Sequence, residues 1–276
     1  MTQMSQARIT QARINGTDIN YHREGTGPLV VLVMGTGSPG RVWHAHQVPA
    51  LVRAGFGVVT FDNRGIAPSS ESFDSMVLDD LVADTAALIE HLGETRVRVV
   101  GTSMGARVTQ ELALARPDLV SHAVMMATYG RSSAMQKAMA QGERDLYDAG
   151  ITLPSSYRAA VTAMNNFSPA TLRDEQAIGD WLAVLEFSGG GRSAGRRAQI
   201  GLEMRAGSER LAAYRAITAT SLVVGFADDR LIPVHLSREV AHAIPGARYE
   251  EIPDTGHFGY LERPDVVNKL LVEFLR

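Results

Sequence analysis

Apolar residues along the chain fall into two kinds of run. The first kind is short and continuous: PLVVLVM at 28–34, FGVVTF at 56–61, RVRVV at 96–100, SHAVMMA at 121–127 and SLVVGF at 221–226. Strands without polar alternation are covered on both faces, the mark of a parallel sheet between helical layers. The second kind recurs at helical spacing, as in MVLDDLVADTAALIEHLG at 76–93, ARVTQELALA at 106–115, LSREVAHAI at 236–244 and PDVVNKLLVEFL at 264–275, the last opened by Pro264 at an N1-like position. Ahead of these, ARI and TDINY flank Asn15-Gly16, a pair suited to a type I′ turn because both residues tolerate positive φ. The chain is therefore expected to open with an antiparallel hairpin. A short final strand is expected in ARYEEI at 247–252.

The strand and helix alternation stops after Tyr129 and resumes near 220. Between them the pattern is helical, broken by turn signals at Pro154, Ser168-Pro169 and Gly189-Gly190-Gly191, with no convincing strand. The expected organisation is an α/β core domain built from 1–130 and 220–276, interrupted by a helical cap at 131–219.

Composition narrows the function classes. A chain of 276 residues, 45% hydrophobic, buries a substantial core, and its net charge of −3 supplies no electrostatic attraction for nucleic acid or an anionic membrane. The start MTQMSQARIT lacks the apolar core of an export signal, and no apolar run approaches the roughly 20 residues of a membrane span. A soluble, cytoplasmic protein is the expectation. With Cys at 0, disulfides, thiolate metal sites and a cysteine nucleophile are excluded.

The candidate chemistry begins at Gly101-Thr102-Ser103-Met104-Gly105, which lies between a buried strand and a helix. A tight turn there lifts the Ser103 hydroxyl above the sheet edge, while the glycines let strand and helix backbones approach. The amide of Met104, at the helix start, is free to hold a developing oxyanion. A serine needs a base held by an acid. The segments ADDRLIP at 227–233 and PDTGHFGYLERP at 253–264 follow the last two strands and supply both, with His257 on a loop at the same sheet edge as Ser103. His91, His122, His235 and His242 lie in or beside helices or a strand start and are read as packing or surface residues. A metal pair at His44 and His46 is rejected, because residues two apart share no helix face and no carboxylate is near in sequence.

In PLVVLVMGTGSPGRVW, FDNRG, GTSMGA, DDRLIP and DTGHFGYLERPD, the chain resembles the α/β-hydrolase superfamily over nearly its whole length, least across 131–219. It is similar in particular to the capped serine hydrolases that include esterases, lactonases, cofactor-free haloperoxidases or perhydrolases and carbon–carbon bond hydrolases. The resemblance implies a mostly parallel, doubly wound sheet with an inserted helical cap. It makes Ser103 the nucleophile, His257 the base and Asp229 the acid, with Asp228 the fallback. It sets the amides of Thr36 and Met104 as oxyanion donors, with Met34 where relatives carry histidine. In FDNRG it assigns Asp62, Arg64 and Gly65 to a structural turn. No cofactor and no metal are implied, and the nucleophile being Ser disfavours dehalogenase and epoxide hydrolase chemistry.

The expected reaction is hydrolysis of an ester, lactone or thioester through an acyl-enzyme. Alternatives are carbon–carbon hydrolysis of a diketone-like substrate and a ligand-binding receptor on the same fold. The partner is expected to be a small hydrophobic molecule bound by Trp181, Met135, Met139 and Phe258. Met164, Phe167, Leu182, Leu185 and Phe187 are further candidates, although packing between cap helices accounts for most such residues. The basic run Arg192, Arg196, Arg197, Arg205, Arg210 and Arg215 is read as a solvated helix face.

Overall fold

The protein is described here by a computed structural model covering residues 9–71, 76–188, 193–202 and 209–276. Strands β1 (Ile9–Ile14) and β2 (Thr17–Glu24) form the expected hairpin, with Ile14 paired to Thr17 and positive φ at Asn15 (47°) and Gly16 (74°). The continuous apolar runs become β3 (Leu29–Val33), β4 (Gly57–Phe61), β5 (Val97–Thr102), β6 (Val120–Met126) and β7 (Thr220–Phe226), followed by β8 (Arg248–Ile252). All join one 8-stranded sheet of order β1-β2-β4-β3-β5-β6-β7-β8. β2 pairs antiparallel with β4, and every pairing from β4 across to β8 is parallel.

Helices α1 (Gln47–Arg53), α2 (Leu78–His91), α3 (Met104–Ala115), α10 (Val234–Ala243) and α12 (Pro264–Leu275) cover the sheet, with the short α11 (Gly259–Glu262) just before α12. Alternate residues of each central strand enter opposite cores. Val31, Val33 and Val99 pack with Leu81, Leu88, Val108 and Leu112 of α2 and α3. Val30, Leu32, Val58 and Val100 pack with Leu51, Leu271 and Leu275 of α1 and α12. Two buried faces explain why these strands carry no polar alternation.

Between β6 and β7, α4 (Ala134–Asp148), α5 (Ser155–Asn166), α6 (Pro169–Arg173), α7 (Glu175–Ser188), α8 (Ala194–Leu202) and α9 (Glu209–Ala213) follow in order, and no strand occurs there among the described residues. The glycine run 189–191 lies outside the described residues, as do Arg192 and Arg205. Chain order reverses across the sheet between β3 and β5, since β4 lies on one side of β3 and β5 on the other. In open α/β sheets, the crevice beyond the carboxyl ends of such strands receives ligands.

Candidate active site

That crevice is bounded by the turn from β5 to α3. Ser103 caps α3 with φ 57° and ψ −121°, a conformation that a residue with a Cβ adopts only under constraint from its surroundings. Its amide donates to Met126 O at 3.0 Å, while its carbonyl accepts the amides of Ala106 (3.0 Å) and Arg107 (3.2 Å), so both flanks of the turn are fixed. A Cβ on Gly101 would overlap the Gly105 carbonyl, and one on Gly105 would overlap Val33 O. These glycines let β5, α3 and the end of β3 meet backbone to backbone. Met104 opens α3 directly after the serine, and its amide is among the first-turn N–H groups that have no acceptor within the helix.

The loop after β3 lies against this turn. A Cβ on Gly35 would stand 3.2 Å from Ser103 Cβ and 3.8 Å from its Oγ, which places Gly35 beside the hydroxyl. Side chains of FDNRG hold the loop. Asn63 Nδ2 donates to Met34 O at 3.1 Å, and Asp62 Oδ1 accepts the Gly40 amide at 2.7 Å. Burial pushes the Asp62 carboxyl above its usual range, against hydrogen bonds from Asn20 and Gly40 and the charge of Arg41, which pull it down. Arg64 makes a bidentate pair with Asp84 of α2 at 2.5 and 2.6 Å, and this hydrogen bonding raises its affinity for its proton.

Asp229 lies on the loop after β7. Its Oδ1 accepts the amides of Leu231 (2.9 Å) and Ile232 (2.8 Å), and its Oδ2 stands 2.7 Å from His257 Nδ1. Both side chains are buried, with relative exposures of 0% for Asp229 and 9% for His257. Asp228 joins the same region through its amide, which donates to Thr255 O at 2.8 Å. Of the two neighbouring acids, it is Asp229 that meets the histidine. The 2.7 Å contact fixes the imidazole with Nδ1 toward the acid, so that Nε2 lies on the opposite side of the ring.

Aromatic rings continue from the histidine into the inserted helices. His257 and Phe258 have ring centroids 6.1 Å apart, Phe258 and Phe167 5.7 Å, and Phe167 and Trp181 5.0 Å. Phe258 thus meets the histidine directly, and Trp181 is joined to it through Phe258 and Phe167, which is buried at the end of α5. Met139, Leu182 and Leu185 are half-buried. Met135, Met164 and Phe187 are instead 63%, 59% and 96% exposed, so their faces in this structure meet solvent. In the basic run, Arg196 pairs with Glu143, Arg197 with Asp148 and Arg210 with Glu111, while Arg215 is exposed.

Several contributors carried no local signal in the sequence. Gln199 of α8 is fully buried; its Oε1 accepts the Gly37 amide at 2.8 Å and its Nε2 donates to Arg64 O at 2.8 Å, linking an inserted helix to both loops. A Cβ on Gly195 would overlap Gly65, so α8 closes directly on the turn after β4. His46 does not join His44 in a cluster of possible metal ligands among the described residues; instead His22, Glu24 and His44 bring ligand atoms within 4.8 Å of one another. Two imidazoles and a carboxylate suit zinc in donor type. The grouping arises from β2 lying beside β4, with His22 opposite Thr60, whose hydroxyl is 3.0 Å from His44 Nε2.

Residues 28–264 match a family model described as alpha/beta hydrolase fold. A Mycobacterium tuberculosis protein, provisionally named non-heme bromoperoxidase BpoC, is 46% identical over 257 residues, covering 93% of this chain and 97% of that one. Its crystal structure superposes with a TM-score of 0.89 at 44% identity, covering 99% of this chain and 98% of the other. Pyrrolizixenacetamide deacetylase of Xenorhabdus hominickii is 26% identical and covers 97% of this chain and 98% of its own length. The enol-lactonase of Burkholderia xenovorans LB400 has a TM-score of 0.79 at 25% identity, covering 96% of this chain and 99% of that one. A deacetylase and a lactonase both cleave a bond to an acyl carbon.

Proposed function

The chain belongs to the α/β-hydrolase fold family and is an enzyme, and from that premise we propose that it hydrolyses an ester, lactone or thioester of a small to medium hydrophobic acid through an acyl-enzyme on Ser103. The observation that carries the reading is the 2.7 Å contact between Asp229 Oδ2 and His257 Nδ1, on loops at the same carboxyl edge of the sheet as the strained turn of Ser103. In this mechanism His257 Nε2 takes the Ser103 proton as Oγ attacks the carbonyl carbon. Asp229 stabilises the imidazolium that forms, and the amides of Met104 and Thr36 receive the oxyanion. The proton passes from Nε2 to the leaving group, which departs. Water then repeats the sequence, giving the acid and free Ser103.

Residues 131–219 are the cap in this reading. The insertion leaves the sheet after β6, on the edge that carries Ser103, and its Gln199 and Phe167 reach the loop after β3 and the ring of Phe258. Trp181 and Phe258 would line the acyl pocket, with Met139 nearer than Met135 to a buried wall. The named activities of the deacetylase and the enol-lactonase support acyl transfer as the shared chemistry.

A fluorophosphonate probe tests this reading, because it phosphonylates only a serine activated by its base. The expected result is one adduct, on the peptide containing Ser103, lost in Ser103→Ala and strongly slowed in His257→Ala. Wild-type protein that stays unlabelled while folded contradicts the proposal and favours a binding role for the fold.

A further inference from the structure

Glu262, in the last turn of α11, gathers donors from two distant segments onto one carboxylate. Its Oε1 accepts the Ser168 amide (2.8 Å), the Ser168 hydroxyl (2.8 Å) and the Thr171 hydroxyl (2.6 Å), all at the junction of α5 and α6 in the insertion. Its Oε2 accepts the amide of Gly256, the residue before His257, at 2.6 Å. On the other side of the histidine, the Phe258 amide donates to Asn166 O at 3.0 Å. The amides on either side of His257 are therefore both fastened, one through Glu262 and one directly, to the α5–α6 junction. No side chain intervenes: a Cβ on Gly256 would fall 2.5 Å from Asn166 O and 2.6 Å from Phe167 C. The loop carrying His257 sits on the insertion's own backbone.

We infer that Glu262 is a positioning residue for His257, and that the α5–α6 junction is the seat against which the histidine is aimed at Ser103. The inference rests on His257 being the base, as proposed above. The Gly256 amide is held by this carboxylate, and backbone donors held by a carboxylate form stronger hydrogen bonds than neutral pairs. A base held by its acid at Nδ1 still pivots with its backbone. The reach of Nε2 toward Ser103 is then set by the clamp as well as by Asp229. Because the clamp's other end is in the insertion, any ligand that shifts α5 or α6 shifts the base too, which couples cap seating to catalysis.

The test compares Glu262→Gln with the double variant Ser168→Ala/Thr171→Val, which removes two donors from the insertion side without touching the histidine loop. Gln keeps the shape but has one acceptor oxygen for two amides that face opposite ends, so one end of the clamp must open. Each is assayed for kcat and KM on p-nitrophenyl butyrate across pH, for fluorophosphonate labelling, for Tm, and for the low-field proton resonance of the His257–Asp229 hydrogen bond. The expected result for Glu262→Gln is a loss in kcat of roughly 10²-fold, the cost of a misplaced catalytic group. KM should change little, the acidic limb of the pH profile should shift, and the low-field resonance should broaden. The double variant should move the same readouts in the same direction, by less, with Glu262→Gln itself still folded by Tm. Either variant folded with unchanged kcat, pH profile and resonance overturns the inference. If wild type itself is not labelled at Ser103, the acyl-enzyme reading fails first. Labelled wild type with equally labelled, equally active variants removes the clamp alone.

Discussion

At the scale of single residues, the site turns on which acid meets His257. Asp229 accepts two loop amides through Oδ1 and the histidine through Oδ2, whereas Asp228 is engaged through its backbone. Asp229→Asn should lower kcat by about 10⁴-fold, because an amide oriented by the same two backbone donors presents NH2 to Nδ1 and enforces the wrong tautomer. Asp228→Asn should cost less than about tenfold. Steady-state rates on one activated ester separate the two, and equal losses would contradict the assignment. Ser103, Asp229 and His257 were legible because each sits in a short segment bound to a strand end: glycines around the serine, DRLIP after β7, DTGH after β8. Gln199, Asn63 and Glu262 were not. Each acts on a backbone group at long range, for example 162 residues from Gln199 to Gly37 and 94 from Ser168 to Glu262, and polar residues that serve remote backbone leave no periodic or spacing signal. The proximity of His44 to His22 was hidden for the same reason, since the two meet across the sheet and not along the chain.

Among the elements, the strands were readable almost to the residue, because burial on both faces forces continuous apolar runs of β-branched residues. The hairpin was equally plain, since Asn15-Gly16 fixes the turn type. The inserted helices were readable as helices but not as an arrangement. Met135, Met164 and Phe187 have the composition of a pocket wall yet are exposed, while Phe167, flagged only as one candidate among many, is 1% exposed and bridges Trp181 to Phe258. Helical periodicity states that a face is apolar, not what it faces. If Trp181 contributes to the acyl pocket, kcat/KM across p-nitrophenyl esters should rise from acetate to medium chain length, by up to about 0.8 kcal/mol for each methylene newly buried in the transition state. Trp181→Ala should flatten that rise or move its maximum to longer chains. An unchanged profile would remove Trp181 from the pocket and leave the triad untouched.

For the whole molecule, one sheet with two cores holds the site elements at one edge, and its stability carries a pH signature. Burial, aided by His22, lowers the proton affinity of His44, and burial with Arg98 and Arg96 lowers that of His122. Above the ordinary histidine value of 6.5 both imidazoles are neutral whether folded or unfolded. As pH falls below it, the unfolded chain binds protons first, so stability declines until the lower folded-state values are passed. Asp62, raised from 3.8, acts with the opposite sign in a window at lower pH. Thermal melts should show Tm falling from pH 7.5 to 5.5, less steeply in His44→Gln and His122→Gln; a Tm that is flat or rises on acidification would contradict this. Among the described residues no helix is long and apolar enough to cross a membrane. The central claim, an acyl group carried on Ser103, is tested most directly by acid-quenching the enzyme during turnover of p-nitrophenyl butyrate and mapping the mass of its peptides. The account predicts a butyryl increment on the peptide containing Ser103, absent in Ser103→Ala along with turnover. Sustained turnover by folded Ser103→Ala, or an increment on a different residue, would contradict it.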